Sequence, residues 1–469
     1  MPLKIFNSFG NKMEEFVPLK GKDVGAYTCG PTVYNYAHIG NFRAYVWEDL
    51  LIRYLRFSGY TVKQVMNLTD IDDKTINGSI EKGITLDEFT QEYKKAFFDD
   101  LKILNVQKAD VYPAATEHIG EMVKMIQTLL DKGIAYKGDD GCIYYSIKKF
   151  PAYGKLANID ISKLKAGARI KQDEYEKEGV GDFALWKAWD ENDGTIFWET
   201  KLGKGRPGWH IECSAMSTKY LGESFDLHTG GIDNKFPHHE NEIAQSEGST
   251  GKPFVKYWMH CEHLMVDGKK MSKSLGNFYT LKDLLEKGLE PLAIRYTLIN
   301  ALYRQPLNFT INGVKDSEKT LQGLQNLIER LYKIKEEKEN DSINTLSEKA
   351  LADFTKAMDD NLNVPNAMAA IFDFSKEINK LIDEKEIGPN GATEALAFLK
   401  KINESLGILN FEQKEIILTE EQKELIEERN RARKSKDFTK ADEIRDKLKE
   451  MGLELKDNPD GTTGVKEIK

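Results

Sequence analysis

The sequence predicts an α/β fold, in which a parallel sheet with an inserted segment precedes a helical segment and a small terminal domain. A β-prone run covers residues 24–29, a helical pattern follows over residues 38–59, and residues 61–68 return to a strand pattern. A strand, a helix and a second strand of these lengths imply a right-handed parallel crossover. That unit is typical of sheets that bind nucleotides.

The rest of the chain divides by composition. Gly/Asp turns and hairpin-like runs over residues 115–204 predict an insertion into the sheet domain. A strand pattern returns at residues 225–228, and a helix is predicted from about His238. Residues 316–409 are highly charged, with apolar residues at helical spacing, and residues 420–469 predict a helix-loop-helix with a basic cluster.

The bulk composition indicates a soluble protein. The chain has 469 residues with 40% hydrophobic and 30% charged residues, and no apolar stretch approaches the roughly 20 residues that span a bilayer. Its start lacks the layout of a secretory signal, so we expect a cytoplasmic protein without a membrane partner. The net charge of −9 does not suggest nucleic-acid binding, but binding depends on where charges lie and not on their sum. Four cysteines without a C-x-x-C pair predict no disulfide framework.

Two short segments predict a site that activates a carboxylate with ATP. His38-Ile39-Gly40-Asn41 lies at a predicted helix start, where unpaired N–H groups favour phosphate. Lys270-Met271-Ser272-Lys273-Ser274 follows a predicted hairpin, and its two lysines suit the neutralisation of departing pyrophosphate on a mobile loop. Alone, the first segment is explained by an ordinary helix start and the second by a solvated basic turn. Together, in this order, they indicate a ligase.

A candidate metal site is predicted from four residues. His238 and Glu242 stand four apart and so share a helix face. Cys213 begins another predicted helix, and Cys29 ends the first strand, at the edge where parallel sheets collect ligands. Two thiolates, an imidazole and a carboxylate suit zinc. His239 is expected to point to a different face and to be structural or to support a ligand. The alternative interpretation makes the cysteines plain core residues.

Longer segments resemble cysteinyl-tRNA synthetases over nearly the whole chain. They are Tyr27-Thr-Cys-Gly-Pro-Thr-Val-Tyr, Asn67-Leu-Thr-Asp-Ile-Asp-Asp-Lys, Gly205-Arg-Pro-Gly-Trp-His-Ile-Glu-Cys-Ser-Ala-Met, Thr229-Gly-Gly-Ile-Asp and Phe236-Pro-His-His-Glu-Asn-Glu, with the two signature segments. The resemblance implies a class I synthetase with a Rossmann-type catalytic domain. Its expected parts are two catalytic halves (1–115 and 205–250), an insertion (116–204), a stem-contact region (251–315), a helical bundle (316–410) and an anticodon-binding domain (411–469).

The resemblance implies a reaction in two steps. L-Cysteine and ATP would give cysteinyl-adenylate and pyrophosphate, and the cysteinyl group would pass to the 2′-hydroxyl of the 3′-terminal adenosine of tRNA(Cys). One zinc per chain, held by Cys29, Cys213, His238 and Glu242, would take the substrate thiolate and reward sulfur over oxygen, a distinction that shape alone makes poorly. Magnesium is expected with ATP. We expect a monomer.

The resemblance also implies further site residues. Thr69, Trp209 and His228 match positions that line the amino-acid pocket, and Asp233 would address the ATP ribose or the substrate amine. Taken by themselves, the first three are also explained as a strand-end hydroxyl, a core indole and a strand histidine. The expected catalytic residues are His38, Asn41, Lys270 and Lys273. The expected ATP-binding residues are His38, Gly40, Asn41, Asp233, Lys270 and Lys273, and the expected substrate-binding residues are Thr69, Trp209, His228, Gly230 and Asp233.

The C-terminal basic segment, residues 429–442, resembles the family's anticodon-binding end, where phosphate neutralisation and base stacking would combine. Gly464 stands where the family commonly has a tryptophan, which puts the anticodon contacts in question. Three other interpretations remain. A ligase that passes cysteine to a small-molecule amine, as in the mycothiol pathway, would lack residues 411–469. A nonenzymatic RNA-binding paralogue would not need the signature lysines and metal ligands. A general nucleotidyltransferase explains only the first signature.

Overall fold

The computed structural model describes residues 2–159, 169–170, 181–272, 275–412, 418–457 and 463–467. The chain forms two compact units, Met1–Leu409 and Asn410–Lys469. The strands are β1 (Lys4–Asn7), β2 (Lys12–Glu15), β3 (Asp23–Thr28), β4 (Thr61–Met66), β5 (Ala135–Lys137), β6 (Ile143–Tyr145), β7 (Arg169–Ile170), β8 (Asp182–Ala188), β9 (Trp198–Thr200), β10 (Gly203–Pro207), β11 (Phe225–Gly231), β12 (Val255–Cys261), β13 (Leu264–Val266), β14 (Lys269–Lys270), β15 (Leu307–Phe309), β16 (Leu453–Asp457) and β17 (Thr463–Glu467).

The helices alternate with these strands in the first half of the chain and dominate the second half. They are α1 (Ile39–Phe57), α2 (Asp73–Lys82), α3 (Leu86–Ile103), α4 (Ile119–Asp131), α5 (Trp209–Leu221), α6 (His238–Thr250), α7 (Leu281–Glu286), α8 (Pro291–Ile299), α9 (Ile311–Tyr332), α10 (Ser342–Asp359), α11 (Val364–Asp383), α12 (Pro389–Leu406), α13 (Glu420–Lys434) and α14 (Phe438–Glu450).

A four-stranded parallel sheet in the order β12-β11-β3-β4 forms the centre of the first unit. The predicted strand–helix–strand unit is therefore present as β3, α1 and β4. The second strand is shorter than predicted, because the ladder with β3 ends at Met66. Beyond it, Leu68 still makes an isolated parallel bridge to Ala114. The α/β class predicted from the sequence is confirmed.

A second sheet, in the order β5-β6-β8-β10-β9 with β7 against β8, lies in the inserted segment. Its pairs are antiparallel, except for the one between β7 and β8. The two sheets share one apolar core, since Tyr27 and Val65 of the parallel sheet cluster with Phe183 and Leu185 of β8 and with Ile126 of α4. Where one domain ends and the next begins remains a prediction.

Helices α9 to α12 follow, as the helical spacing indicated. The first of them begins at Ile311, earlier than the predicted Asp316, because the Thr310 hydroxyl caps it by accepting the Gly313 N–H. The second unit contains the two predicted helices, α13 and α14, and a hairpin of β16 and β17 that we did not predict. Leu448 and Leu453 are in the small apolar core of this unit. No helix among the described residues combines the length and apolar character that crossing a membrane requires.

Candidate active site and metal centre

The candidate site lies where the order of the parallel sheet reverses. From β3 the chain crosses to β4 on one side, whereas β11 and β12 lie on the other side. Ligands in open α/β sheets bind in the crevice at the carboxyl ends of the strands at this reversal. Cys29 directly follows β3, and Gly230 lies near the end of the neighbouring β11. The sequence-predicted metal and substrate residues therefore meet at one edge of the sheet.

The first signature segment forms the N-terminus of α1. His38 is the N-cap residue: its Nδ1 accepts the Asn41 N–H at 3.1 Å, and Asn41 Oδ1 accepts the His38 N–H at 3.1 Å. This reciprocal cap fixes the imidazole at the helix end, where backbone N–H groups favour an anion. A Cβ on Gly40 would lie 3.0 Å from the His38 ring and from Met271 Cε. Gly40 is thus the residue at which the two signature segments touch.

The second signature segment follows a tight hairpin between β13 and β14. Asp267 and Gly268 both have left-handed backbone angles, with φ of +50° and +73°, as a two-residue hairpin turn requires. Lys270 ends β14 and is exposed, whereas Lys273 lies outside the described residues. Within the loop, the Asn277 side chain accepts the Ser272 N–H at 2.8 Å and donates to the Lys270 carbonyl at 3.2 Å.

The loop that carries Lys270 is anchored to the start of α1. His38 forms an antiparallel bridge with Thr280, and the Ile39 N–H donates to the Tyr279 carbonyl at 2.9 Å. The His38 ring meets the Phe278 ring edge-on, with 5.1 Å between centroids. The two segments that the sequence separates by more than two hundred residues are therefore neighbours.

The four predicted metal ligands converge. Cys29, Cys213, His238 and Glu242 are all buried, and one donor atom from each lies within 4.8 Å of the others. The donors come from the residue after β3 and from the first two turns of α5 and α6, two helices that pack side by side. This is the chemistry of a zinc site with two sulfurs, one nitrogen and one oxygen.

The neutral imidazole and the unpaired carboxylate oxygen of this group fit a metal. A hydrogen bond with Cys213 and burial raise the pKa of the Cys29 thiol well above its ordinary value. Burial lowers the pKa of His238 to about 3, so its imidazole is neutral at physiological pH. Glu242 Oε1 is buried and lacks a hydrogen-bond donor among the described groups. It lies 3.1 Å from His238 Nε2. A buried carboxylate oxygen without a donor is costly unless a cation pairs with it.

Two further histidines orient the candidate ligands. His228 Nε2 donates to Glu242 Oε2 at 2.9 Å, which leaves Oε1 toward the cluster. His210 Nδ1 lies 2.8 Å from His238 Nδ1, which leaves His238 Nε2 toward the cluster. Partners of this kind fix the geometry of metal ligands in proteins. Sequence reasoning missed His210, although it stands three residues before Cys213 in the same segment.

The expected direction of the His239 ring was wrong. Its Nε2 lies 3.3 Å from Cys29 Sγ, so the ring faces the cluster and not another side of α6. Cys29, His228, His239 and Glu242 form a second group of donors within 4.8 Å. The other ring nitrogen, Nδ1, lies 2.8 Å from His260 Nε2. The crevice therefore holds more nitrogen donors than the four-residue prediction contains.

Of the predicted pocket residues, Trp209 and His228 contact candidate ligands, whereas Thr69 and Asp233 contact other residues. Trp209 stacks on the His238 ring with 4.2 Å between centroids. Thr69 is buried and donates to Glu212 Oε2 at 3.0 Å. His228 is buried between Trp258, on which it stacks, and Glu242. Asp233 lies in the short turn after β11, next to Gly231.

The basic segment of the second unit divides into exposed and buried residues. Arg431 and Arg433 lie in the last turn of α13, and Phe438 at the start of α14 is 60% exposed. Arg429 is buried and donates to Thr463 Oγ1 at 3.2 Å, so it joins α13 to β17. We expected Arg429 to belong to a nucleic-acid surface, and its burial corrects that. Gly464 lies in β17, opposite Lys456.

Three protein-family models match the chain. The model of the class I (C) tRNA synthetase catalytic domain matches residues 15–319, the DALR domain model matches residues 353–410, and the cysteinyl-tRNA ligase anticodon binding domain model matches residues 417–463. The chain is 52% identical to a cysteine–tRNA ligase of Protochlamydia amoebophila, with 98% of this chain and 97% of the relative covered. It is 50% identical to that of Brachyspira hyodysenteriae, with 97% and 98% covered.

Solved structures of class I synthetases share the fold. A Mycobacterium tuberculosis methionyl-tRNA synthetase in complex with methionyl-adenylate superposes with a TM-score of 0.59 at 13% identity, over 82% of this chain and 90% of that chain. An Agrobacterium radiobacter leucyl-tRNA synthetase ternary complex gives a TM-score of 0.60 at 12% identity, over 84% and 85%. At such identities the similarity concerns the fold alone.

Proposed function

The chain belongs to the cysteinyl-tRNA synthetase family and is a cysteine–tRNA ligase of class I, and from that premise we propose that a zinc ion held by Cys29, Cys213, His238 and Glu242 selects the substrate thiol. The observation that carries the proposal is the orphaned Glu242 Oε1 among two buried thiols and a neutral imidazole. Bound zinc supplies a borderline-soft cation that ligates a thiolate more strongly than a hydroxyl.

The surrounding residues would hold cysteine in one orientation. Trp209 stacks on the His238 ring and would cover that side of the bound cysteine. Thr69, anchored by Glu212, is proposed as a polar contact of the bound cysteine, and Asp233, at the turn after β11, is proposed to accept from the substrate amine or the ATP ribose. Serine has the same shape within one atom, so contacts of this kind discriminate weakly, and the metal donors carry the selection.

The ATP half of the reaction is assigned to the two signature segments. The α1 N-terminus with His38, Gly40 and Asn41 would receive the phosphates, and Lys270 would approach them from its hairpin. Attack of the cysteine carboxylate on the α-phosphorus displaces pyrophosphate. Positioning and charge neutralisation therefore supply most of the rate. Lys273 is proposed for the same role, and Mg²⁺ would offset phosphate charge.

Residues of the second unit are proposed to bind the anticodon of the tRNA. The exposed Arg431, Arg433 and Phe438 combine cations with an aromatic ring, which suits splayed bases of the anticodon. The side chain of Arg429 supports this surface from within the unit and does not belong to it. We also propose that the protein is a monomer and acts in the cytoplasm, where translation takes place.

The test combines metal content with activity. Purified wild-type protein should hold one zinc per chain and catalyse cysteine-dependent exchange between ATP and pyrophosphate. Cys213→Ser should lose both the zinc and the cysteine dependence. Cys142→Ser is the matched control, because Cys142 is equally buried but lies in the insertion sheet, where its sulfur accepts the Ala188 N–H. Elemental analysis without stoichiometric zinc in the wild type contradicts the proposal.

A further inference from the structure

The chain between β4 and α2 is hydrogen-bonded on both sides. On one side, it pairs with the segment that follows β3: the Thr69 N–H donates to the Pro31 carbonyl at 3.0 Å, and the Thr69 carbonyl accepts the Val33 N–H at 3.0 Å. On the other side, the Leu68 carbonyl accepts the Ala115 N–H at 3.1 Å, in the segment that precedes α4. This stretch therefore joins the candidate cysteine pocket to the chain that leads into α4.

The Asp70 carboxylate adds a buried attachment to this stretch. Asp70 is 2% exposed. Its Oδ1 accepts the Thr116 N–H at 2.9 Å, and its Oδ2 accepts the Thr116 hydroxyl at 2.9 Å and Lys94 Nζ at 2.6 Å. Hydrogen bonds with an ionised partner are roughly twice as strong as neutral ones. One side chain thus fastens the stretch both to α3, which carries Lys94, and to the segment before α4.

Thr69 and Asp70 are neighbours, but their side chains contact different elements. Thr69 Oγ1 donates to Glu212 Oε2 on α5 at 3.0 Å and accepts from Asn67 Nδ2 at 3.2 Å. Successive side chains of an extended segment point to opposite sides. The direction in which Asp70 is held therefore fixes the direction of the Thr69 hydroxyl.

The same stretch is in close contact with the end of the first strand. Asn67 Oδ1 accepts the Gly30 N–H at 2.9 Å, and a Cβ on Gly30 would lie only 1.8 Å from the Asn67 carbonyl oxygen. Gly30 directly follows Cys29, one of the candidate zinc ligands. A displacement of the stretch would consequently be felt at the pocket and not only at the surface of the sheet.

On the basis of the function proposed above, in which Thr69 contacts bound cysteine, we propose that Asp70 is a positioning residue for cysteine binding. Asp70 acts through Thr69, by holding the stretch against Lys94 and Thr116. Among the described residues, the hydrogen bonds and ion pair of Asp70 involve neither a signature segment nor a candidate zinc ligand. Loss of its charge should therefore weaken the binding of cysteine and leave the binding of ATP and zinc unchanged.

The experiment measures ligand binding to the full-length, zinc-loaded protein. Equilibrium dialysis with labelled L-cysteine gives its Kd, ATP–pyrophosphate exchange gives the KM for ATP, and elemental analysis gives the zinc content. Asp70→Asn keeps the side-chain shape, but one oxygen becomes an NH₂ group that cannot accept from Lys94 or Thr116. We expect the Kd for cysteine to rise about tenfold, as when a hydrogen bond to a charged group is weakened. The KM for ATP should stay within about twofold of wild type, and the zinc content should not change.

A double-mutant cycle separates positioning from a loss of stability. Thr69→Val should itself raise the Kd for cysteine, and Asp70→Asn added to it should raise the Kd no further, because residues that act through one contact are not additive. Asp226→Asn is the matched control. Asp226 is also buried and accepts the N–H groups of Leu19 at 2.6 Å and Gly25 at 2.8 Å, near the amino ends of the strands. It should lower stability without changing the Kd for cysteine.

A second variant keeps the proposal testable if Asp70→Asn does not fold. Lys94→Met removes only the cation and should raise the Kd for cysteine by a smaller factor. An unchanged Kd in a folded Asp70→Asn protein, equal rises in the Kd for cysteine and the KM for ATP, or additive effects in the cycle would overturn the role of Asp70. A wild-type protein that binds cysteine without supporting exchange would instead contradict the proposed function, and the cysteine affinities of the variants would still decide the role of Asp70.

Discussion

Replacement of His228 by leucine should weaken zinc binding while the fold survives. His228 and Glu242 are both fully buried, and one hydrogen bond of 2.9 Å joins His228 Nε2 to Glu242 Oε2. Leucine has a comparable bulk but no donor, so the variant leaves Oε2 unpaired and lets the carboxylate turn away from the cluster. With Cys29, Cys213, His238 and Glu242 as the proposed ligands, the perturbation acts on the orientation of a ligand and not on the ligand itself.

The expected size follows from that one contact. A hydrogen bond to a charged group contributes about 1.5–3 kcal/mol. At about 1.4 kcal/mol for each tenfold change in binding, zinc affinity should fall by roughly 10- to 100-fold, the range typical of lost partners of metal ligands. Competition against a chromophoric chelator measures the affinity directly. His228→Gln, which keeps a donor, should lose less.

The control is another buried histidine. His118 bonds to the Ala114 carbonyl at 2.7 Å and to the Tyr220 hydroxyl at 2.9 Å, and it is not part of either donor group. His118→Leu removes equivalent contacts, so its effect on zinc affinity should be small. A folded His228→Leu protein with wild-type zinc affinity would refute the reasoning, because Glu242 would then either not bind the metal or not need His228.

Three other changes give separate tests. Lys270→Ala should slow adenylate formation far more than it weakens cysteine binding, because the charge of the lysine is needed as pyrophosphate departs. Pre-steady-state kinetics and equilibrium binding measure the two effects. Equal losses would mean that the loop serves binding alone. Asp49→Ala should lower the free energy of unfolding, measured in urea, by about 3–5 kcal/mol. Among the ion pairs described, Asp49 is the only partner of the buried guanidinium groups of Arg53 and Arg295, at 2.7 and 2.6 Å. Asp99→Ala, which breaks an exposed ion pair, should have no measurable effect. Burial raises the pKa of Glu48 from 4.5 to about 8, so the folded state holds this proton more tightly than the unfolded state. The free energy of unfolding of the wild type should therefore fall as pH rises from 4.5 to 8. Glu48→Gln should remove this part of the pH dependence, measured by unfolding at several pH values.

The convergence of the four candidate metal donors was predictable because general rules apply to it. The i, i+4 spacing places His238 and Glu242 on one helix face, and the carboxyl-end rule for parallel sheets brings Cys29 to the same crevice. The roles of His210 and His228 depend on how α5, α6 and β11 pack, and no local pattern in the sequence contains that information. The direction of His239 was predicted wrongly for the same reason. The cluster lies around the start of α6, so His238 and the next residue, His239, both face it.

The limits of the fold prediction have similar causes. The α1 start was predictable from its signature, and its cap agrees with the expected helix end. The start of α9 was missed because the predicted stripe of leucines begins at Leu321, although Val314 is also buried, and because the capping signal is a single threonine. The hairpin of β16 and β17 has short strands with a glycine in one of them, which gives weak alternation. Arg429 looked like its basic neighbours, and only packing against Thr463 distinguishes it.

The bridge between His38 and Thr280 has a consequence for how ATP is enclosed. Because β14 fixes one end of the lysine-bearing loop and the start of α1 fixes the other, the loop is a closed span whose length is set by two anchors. The His38 ring also contacts Phe278 of this span. We therefore expect that any rearrangement of the loop on ATP binding shifts the imidazole at the helix end, which would link capture of the triphosphate to alignment of the first signature.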